Sequence, residues 1–207
     1  MLRDILSGEI FTADAPPEQR KLVDVAFSGN GEPTSAAEFP EVVRAVYAIL
    51  DAVMPGHQLP VRLITNGSLL HRPAVQEGIR MIGSREGEVW FKVDRMTASS
   101  VQHVNGIPLQ VDKVRQNLRT CVGLAQTWVQ TCWLAVDGKA PDEADQAAYL
   151  SLISEFRHEV AGVLLYGMAR DSANPLAAHL SRLSADVLEA FASRIRHETG
   201  VEVRVSP

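Results

Sequence analysis

The chain alternates between short apolar runs and longer segments of helical periodicity, and this alternation is the feature that most restricts its fold. Apolar runs lie at 23–28, 61–65, 88–93, 127–136 and 161–166, and the segments between them carry apolar residues three or four positions apart. Strands that alternate with helices form βαβ units with parallel strands. Nearly continuous apolar strands also suit a parallel sheet that is covered on both faces. We therefore predict an α/β fold.

The length of the chain limits how far such a sheet can close. The alternating residues 201–205 predict one more strand, half-buried and at a sheet edge, which gives about five to six strands. A complete eight-fold barrel needs about 250 residues, whereas this chain has 207. We predict one domain over 1–207, folded as a partial (β/α) barrel of parallel strands.

Helix boundaries follow from proline, glycine and capping residues. A helix is expected to begin near Phe39, with Pro40 at its first position, and to end before 55–56. Ser184 is placed to cap the last helix and Gly200 to terminate it. The other helices are predicted at 73–82, 111–125 and 142–159, and the segment 95–110 is predicted to be a loop.

The composition is that of a soluble globular domain and argues against two classes of partner. The formal net charge is −5, and the basic residues are scattered, so we expect no nucleic-acid partner. The uncharged apolar runs are far too short to cross a membrane. Arg3, Asp4 and Glu9 interrupt any signal pattern at the start. We expect a cytoplasmic protein with a small-molecule ligand.

The potential metal ligands show no recognisable spacing. The chain has two cysteines, Cys121 and Cys132, whose separation matches no common zinc or cluster pattern. The six histidines show no i, i+4 pair. We expect buried free cysteines, mostly solvent-facing histidines and no metal site.

A turn with two glycines follows the first apolar run and reads Gly29-Asn30-Gly31-Glu32-Pro33-Thr34. It lacks the third glycine of a dinucleotide fingerprint and the Gly-Lys-Ser/Thr of a P-loop. Glu32 would repel a phosphate, so the turn suits a cationic group such as a ligand ammonium. An ordinary tight turn is the alternative interpretation.

Two further strand ends complete a resemblance to a known family. The second strand closes with Thr65-Asn66-Gly67, and the third ends in Lys92-Val93-Asp94. Together with the glycine turn, these motifs resemble the radical S-adenosylmethionine (radical SAM) enzymes, in the branch near wybutosine-synthesis proteins, over about 23–207. In that family a Gly-Gly-Glu motif binds the amino group of the methionine moiety, and Asn30-Gly31-Glu32 matches it with Asn in place of the first glycine.

The resemblance implies a set of ligand-binding residues and a cofactor. The residues implied to bind S-adenosylmethionine are Asn30, Gly31, Glu32, Thr65, Asn66, Asp94 and Tyr166, the last of these near the adenine. The family also holds a [4Fe–4S] cluster on a Cys-x-x-x-Cys-x-x-Cys loop after its first strand. That loop would precede Val23, where this sequence has no cysteine.

We therefore expect a radical SAM-like barrel without its first strand and cluster loop. It would be a truncated product, the result of a misplaced start codon, or a true pseudoenzyme. S-adenosylmethionine binding would be weak or lost, and the chain as given would not generate a 5′-deoxyadenosyl radical. The open edge at 23–28 is mostly apolar and is expected to be covered by a second copy of the chain, by the N-terminal segment or by aggregation, with a symmetric dimer as the most economical arrangement.

Two alternative functions remain open from the sequence. The chain could bind a nucleoside or S-adenosylmethionine without chemistry. It could instead be a Schiff-base lyase that uses Lys92, since burial of a lysine in a barrel lowers its pKa and activates it. Asp94 lies two residues away on the same strand face and would oppose that lowering, because an opposite charge favours the charged form.

Overall fold

The fold is known here from a computed structural model, which describes residues 2–6, 16, 22–29, 31–56, 59–97, 110–168 and 177–206. Its strands are β1 (Val25–Phe27), β2 (Val61–Thr65), β3 (Glu88–Lys92), β4 (Gln126–Cys132), β5 (Ala135–Val136), β6 (Gly162–Tyr166), β7 (Leu180–Ser181) and β8 (Val203–Ser206). Its α-helices are α1 (Leu2–Leu6), α2 (Phe39–Val53), α3 (Pro73–Ser84), α4 (Val111–Val122), α5 (Glu143–Glu155) and α6 (Ala185–Thr199).

Six of the strands form one sheet in the order β1-β2-β3-β4-β6-β8, and each neighbouring pair is parallel. Strands and helices alternate along the chain, so each crossover returns the next strand in the same direction. The prediction of a partial (β/α) barrel with parallel strands is confirmed. The predicted placement of the C-terminal strand at an edge of the sheet is also confirmed, and β1 forms the opposite edge.

One face of the sheet packs against the helices and carries the core. Its side chains include Leu63, Val89, Phe91, Val129 and Val163, all fully buried. The opposite face, which we call the open face, carries the alternate residues of each strand, and in β2 and β3 these are half-buried or exposed. The apolar runs predicted a sheet that is covered on both faces. In the described part of the chain, helices cover only one of them.

Most element boundaries were predicted from local signals. The helix that begins at Phe39 has proline in its first turn, as expected. The Ser184 side chain accepts a hydrogen bond from Val187 N, and Gly200 ends α6 with φ 73°. The helix α5 is shorter than predicted, because the chain turns at Phe156, whose N–H bonds to Leu152 O.

The predicted strand 127–136 was wrong in its second half. The parallel strand β4 ends at Cys132, and Ala135–Val136 pairs in antiparallel fashion with Leu180–Ser181 in a separate two-stranded sheet. Trp133 N still donates to Tyr166 O, and its ring stacks on Phe191 of α6 with ring centroids 4.0 Å apart, so the change of partner follows Trp133. Among the described residues, no helix has the length and apolarity needed to span a bilayer.

Candidate functional site

Glu32 organises the turn that follows β1. It caps a 3₁₀ helix over Pro33–Ser35, and proline at the first helical position pre-sets the backbone. Its Oε1 atom accepts hydrogen bonds from Thr34 N at 3.2 Å and from Thr34 Oγ1 at 2.6 Å. The acidic side chain is therefore held back onto its own turn as an N-cap.

The same carboxylate also reaches the neighbouring strand end. Thr65 Oγ1 donates to Glu32 Oε1 at 2.6 Å, and Asn66 N donates to Glu32 Oε2 at 2.8 Å. Thr65 is only 1% exposed, and its hydroxyl also accepts from Gly67 N at 3.0 Å. Gly67 has φ +69°, a conformation that favours glycine at this tight turn. One carboxylate thus ties the turn after β1 to the turn after β2.

This geometry brings together three of the residues predicted for the site, namely Glu32, Thr65 and Asn66. Glu32 is half-buried and accepts four hydrogen bonds, all from uncharged donors. Oε1 takes three of them and Oε2 one, which leaves an acceptor direction of Oε2 for a ligand. Gly31 lies beside it, exposed, with φ +124°, whereas Asn30 lies outside the described residues.

Asp94 makes a second link, between the ends of β3 and β4. Its Oδ1 atom accepts a hydrogen bond from Cys132 N at 2.8 Å. Cys132 is in register with Tyr166 at the end of β6, and the carbonyl of Tyr166 accepts from Trp133 N at 2.9 Å. Asp94, Cys132 and Tyr166 therefore lie at the carboxyl ends of three adjacent strands, where parallel α/β sheets bind ligands.

The surroundings of this second group favour the neutral forms of the Cys132 thiol and the Tyr166 phenol. Burial, with the Asp94 charge adding to it, raises the pKa of the Cys132 thiol to about 11. Burial and the same carboxylate raise the pKa of the Tyr166 phenol far above its ordinary value. Both groups stay protonated at neutral pH, so the cluster offers one carboxylate and two weak donors. Among the described residues, no hydrogen bond or ion pair joins it to the Glu32 group.

Lys92 and Asp94 lie two residues apart and do not pair. Lys92 is exposed at the end of β3 and makes no ion pair with any residue in the described part of the chain. Asp94 instead accepts from the backbone of Cys132. The Schiff-base alternative needs a lysine whose pKa is lowered by burial, and the structure does not provide that burial.

Arg95 is a buried charge that the sequence analysis missed. It is 3% exposed, and it donates from Nη1 to Asp94 O at 2.7 Å and from Nη2 to Leu134 O at 2.6 Å. Its guanidinium also lies 4.6 Å from the centroid of the Trp133 ring, and burial lowers its pKa. The sequence placed Arg95 at the start of a loop, and no local pattern distinguishes it from a solvated surface arginine.

A group of paired ionic side chains lies at the amino ends of the strands, away from the candidate site. Arg62 on the open face pairs with Asp24 and, at 2.8 Å, with Glu88 Oε2. Its guanidinium lies 5.1 Å from the centroid of the Trp90 ring. Both carboxylates pair with the one arginine inside the group, so we assign it to the structure of the sheet.

The cysteines do not fit an iron–sulfur cluster. Cys121 is fully buried in α4 and lies 3.4 Å from Thr127 Oγ1 on the helix-covered side, whereas Cys132 belongs to the open face. Burial raises the pKa of Cys121 to about 12, which opposes the thiolate form that a cluster requires. Within the part of the chain that the structure describes, no three His, Cys, Asp or Glu residues are grouped as metal ligands would be.

Comparison with known proteins identifies a fold and no closer relationship. No known protein family matches the sequence, and neither does any curated protein. The fold is similar to that of a domain of pyruvate-formate lyase-activating enzyme from Bacteroides vulgatus, with a TM-score of 0.58. That similarity covers 89% of this chain and 99% of the other at 12% identity. Identity this low shows a shared fold alone: the chain has the fold of an activating-enzyme domain.

Proposed function

We propose that the chain is a radical SAM-like domain that retains the turn for the methionine end of S-adenosylmethionine. Pyruvate-formate lyase-activating enzymes belong to the radical SAM family, so the similarity in fold supports this proposal. The sequence motifs support it independently, since Gly31-Glu32, Thr65-Asn66 and Asp94 follow three successive strands. Under this proposal the ligand is S-adenosylmethionine or a related nucleoside.

The observation that carries the proposal is the position of the Glu32 carboxylate. It is fixed by four hydrogen bonds at the carboxyl ends of β1 and β2 and keeps one acceptor direction on Oε2. A fixed carboxylate binds an ammonium group at a lower entropic cost than a mobile one. Glu32 would accept from the ligand ammonium, with Gly31 offering close approach to its backbone.

The remaining residues would contact the other parts of the ligand. Asp94 keeps Oδ2 free of any hydrogen bond to the described residues, so it can accept from hydroxyl groups of a ribose. Tyr166 would pack against the adenine as a neutral phenol, because its pKa is raised by burial. The place of Tyr166 near the adenine is carried over from the resemblance, whereas the ribose contact of Asp94 is proposed from its open oxygen.

We infer that these 207 residues bind the ligand without converting it to a radical. In the family, the cluster supplies the electron that cleaves S-adenosylmethionine, and its loop has three cysteines. This sequence has two, on opposite sides of the sheet. Anaerobic reconstitution with iron and sulfide should therefore leave no stoichiometric cluster after desalting. Four irons per chain with the visible absorption of a [4Fe–4S] cluster would contradict this inference.

Isothermal titration calorimetry with S-adenosylmethionine tests the proposed site. We expect a Kd of about 0.1–1 mM, since a ligand normally chelated by the cluster loses those bonds. Glu32→Gln should weaken binding at least about tenfold, because it removes the charge that pairs with the ammonium.

Glu38→Gln provides the matched control for that substitution. It makes the same change of carboxylate to amide at an exposed residue six positions further along, and it leaves Glu32 and its hydrogen bonds in place. It should change the Kd by less than about threefold. Binding that is equally strong in the parent and in Glu32→Gln would place the ligand elsewhere and refute the proposed site.

A further inference from the structure

Arg95 holds a buried charge directly beside a residue proposed to bind the ligand. The residue is 3% exposed, and it follows Asp94 in the chain. Burying a guanidinium costs free energy that its partners recover only in part, and a packed apolar side chain avoids that cost. The presence of arginine here is therefore best explained by the two backbone carbonyls that its donors hold.

The main-chain hydrogen bonds that join β3 to β4 end just before Asp94. The last of them runs from Val93 N to Gln130 O at 2.9 Å. Beyond it, side chains make the links: Asp94 Oδ1 accepts from Cys132 N at 2.8 Å, and Arg95 Nη1 donates to Asp94 O at 2.7 Å. Asp94 is therefore held at its carboxylate and at its carbonyl by two different donors.

The guanidinium that holds Asp94 is itself fixed on its other side. Arg95 Nη2 donates at 2.6 Å to Leu134 O in the segment after β4, and the guanidinium carbon lies 4.6 Å from the centroid of the Trp133 ring. That ring is stacked in turn on Phe191 of α6. Because a guanidinium presents its donors in a rigid plane, fixing one end also fixes the donor to Asp94.

We infer that Arg95 is a positioning residue, which holds the end of β3 so that Asp94 can accept hydrogen bonds from a ribose. This inference rests on the proposed function, because it takes Asp94 Oδ2 as the ribose acceptor. Arg95 is too deeply buried to contact the ligand, so it acts through Asp94. A carboxylate that is held in place loses less entropy on binding than a mobile one. Loss of the arginine should therefore weaken recognition of the ribose hydroxyls and leave the rest of the binding energy in place.

The test compares two nucleosides that differ only in the ribose hydroxyls, adenosine and 2′,3′-dideoxyadenosine. Titrations followed by the ¹H NMR signals of the ligand give both Kd values for each protein variant. The parent should bind adenosine at least about tenfold more tightly, since hydrogen bonds to a carboxylate are among the stronger ones. Arg95→Leu, whose side chain can still pack against Trp133, should lower this preference to less than about threefold. It should do so by weakening adenosine, with the Kd of dideoxyadenosine changed by less than about twofold.

Two further variants give the reference patterns. Asp94→Ala removes the proposed acceptor and should reproduce the effect of Arg95→Leu on both Kd values. Arg62→Leu is the matched control, because Arg62 is another partly buried arginine that lies over a tryptophan, 5.1 Å from the centroid of the Trp90 ring. It lies at the amino ends of the strands, so its loss should change stability and leave the preference for adenosine at the parent value.

Urea unfolding followed by circular dichroism verifies that each variant is folded under the conditions of the titration. Arg95→Met, with a flexible apolar side chain, replaces Arg95→Leu if the latter is not folded. An Arg95 variant that keeps the full preference for adenosine overturns the inference and leaves the proposed function intact. Equal weakening of both nucleosides also overturns it, because Arg95 would then support the whole site rather than Asp94. A parent without the preference refutes the ribose contact of Asp94 itself, and the inference fails with it.

Discussion

Glu32 should stabilise the fold by joining two turns, and the Glu32–Thr65 pair allows this to be measured. Glu32→Ala removes the acceptor of Thr34 Oγ1, Thr65 Oγ1 and Asn66 N together. Hydrogen bonds to charged groups contribute about 1.5–3 kcal/mol each when buried. Because Glu32 is half-buried and the hydroxyls can turn to other acceptors, we expect a total loss of about 2–4 kcal/mol.

Thr65→Val isolates one of these bonds. Valine has nearly the shape of threonine but lacks its hydroxyl. The substitution therefore removes only the group that donates to Glu32 and accepts from Gly67 N. We expect a loss of about 1–3 kcal/mol, because Gly67 N is buried without its acceptor. In the double variant the shared bond is lost only once. The two single losses should therefore exceed the double loss by about 1–2 kcal/mol.

Urea unfolding measured by circular dichroism provides the assay, with a constant m value as the condition for comparison. The melting temperature of Glu32→Ala should fall by about 5–15 °C for a chain of this length. Glu38→Ala is the matched control. Glu38 is exposed, and its side chain makes no capping hydrogen bond, so it should change stability by no more than about 0.5 kcal/mol.

Two results would refute the reasoning. A coupling energy below about 0.3 kcal/mol would mean that the two side chains act independently. Equal effects of Glu32→Ala and Glu38→Ala would mean that the carboxylate is solvated in the folded protein. Either result would also weaken the proposed site, because the fixed position of the Glu32 carboxylate is the observation on which it rests.

Two further predictions concern alkaline pH and assembly. Burial raises the pKa of Cys132 to about 11 and of Cys121 to about 12, against about 8.5 in an unfolded chain. The folded state therefore holds more protons above pH 8.5, and the urea midpoint should fall as the pH rises from about 8.5 towards 11. In Cys132→Ala the urea midpoint should fall less steeply with pH than in the parent. An equally steep fall in the variant would contradict the role given to Cys132. For assembly, the edge strand β1 should pair two chains, so light scattering should detect a dimer that Val25→Lys dissociates, whereas a monomeric parent would exclude this pairing.

The sheet and its helices could be predicted because their signals are local. Apolar runs of strand length and helical periodicity come from neighbours in sequence, and Gly200 and Pro40 act on the turn in which they lie. The parallel pairing of the strands could be predicted from the alternation of strands and helices along the chain. The end of β4 could not be predicted in this way, since the partner of Ala135–Val136 is Leu180–Ser181, which lies more than forty positions further along the chain.

The candidate site was predictable in position and not in detail. The strand ends placed Glu32, Thr65 and Asn66 at one edge of the sheet, and the structure brings them into contact. The bonds themselves link residues more than thirty positions apart, which no local pattern encodes. The partner of Asp94 could not be predicted for the same reason, because its donor, Cys132 N, comes from another strand.

The two carboxylates at the carboxyl edge differ in how much of their capacity the fold uses. Glu32 accepts four hydrogen bonds from the protein, whereas Asp94 accepts one from the described residues, on Oδ1. Both link the ends of adjacent strands, so their positions are fixed before any ligand arrives. Pre-organised acceptors bind with less loss of entropy than flexible ones. A carboxylate that holds two strand ends together and keeps an acceptor direction open for a ligand therefore couples binding to stability. A ligand that binds Glu32 or Asp94 should stabilise the sheet at the same edge that it contacts.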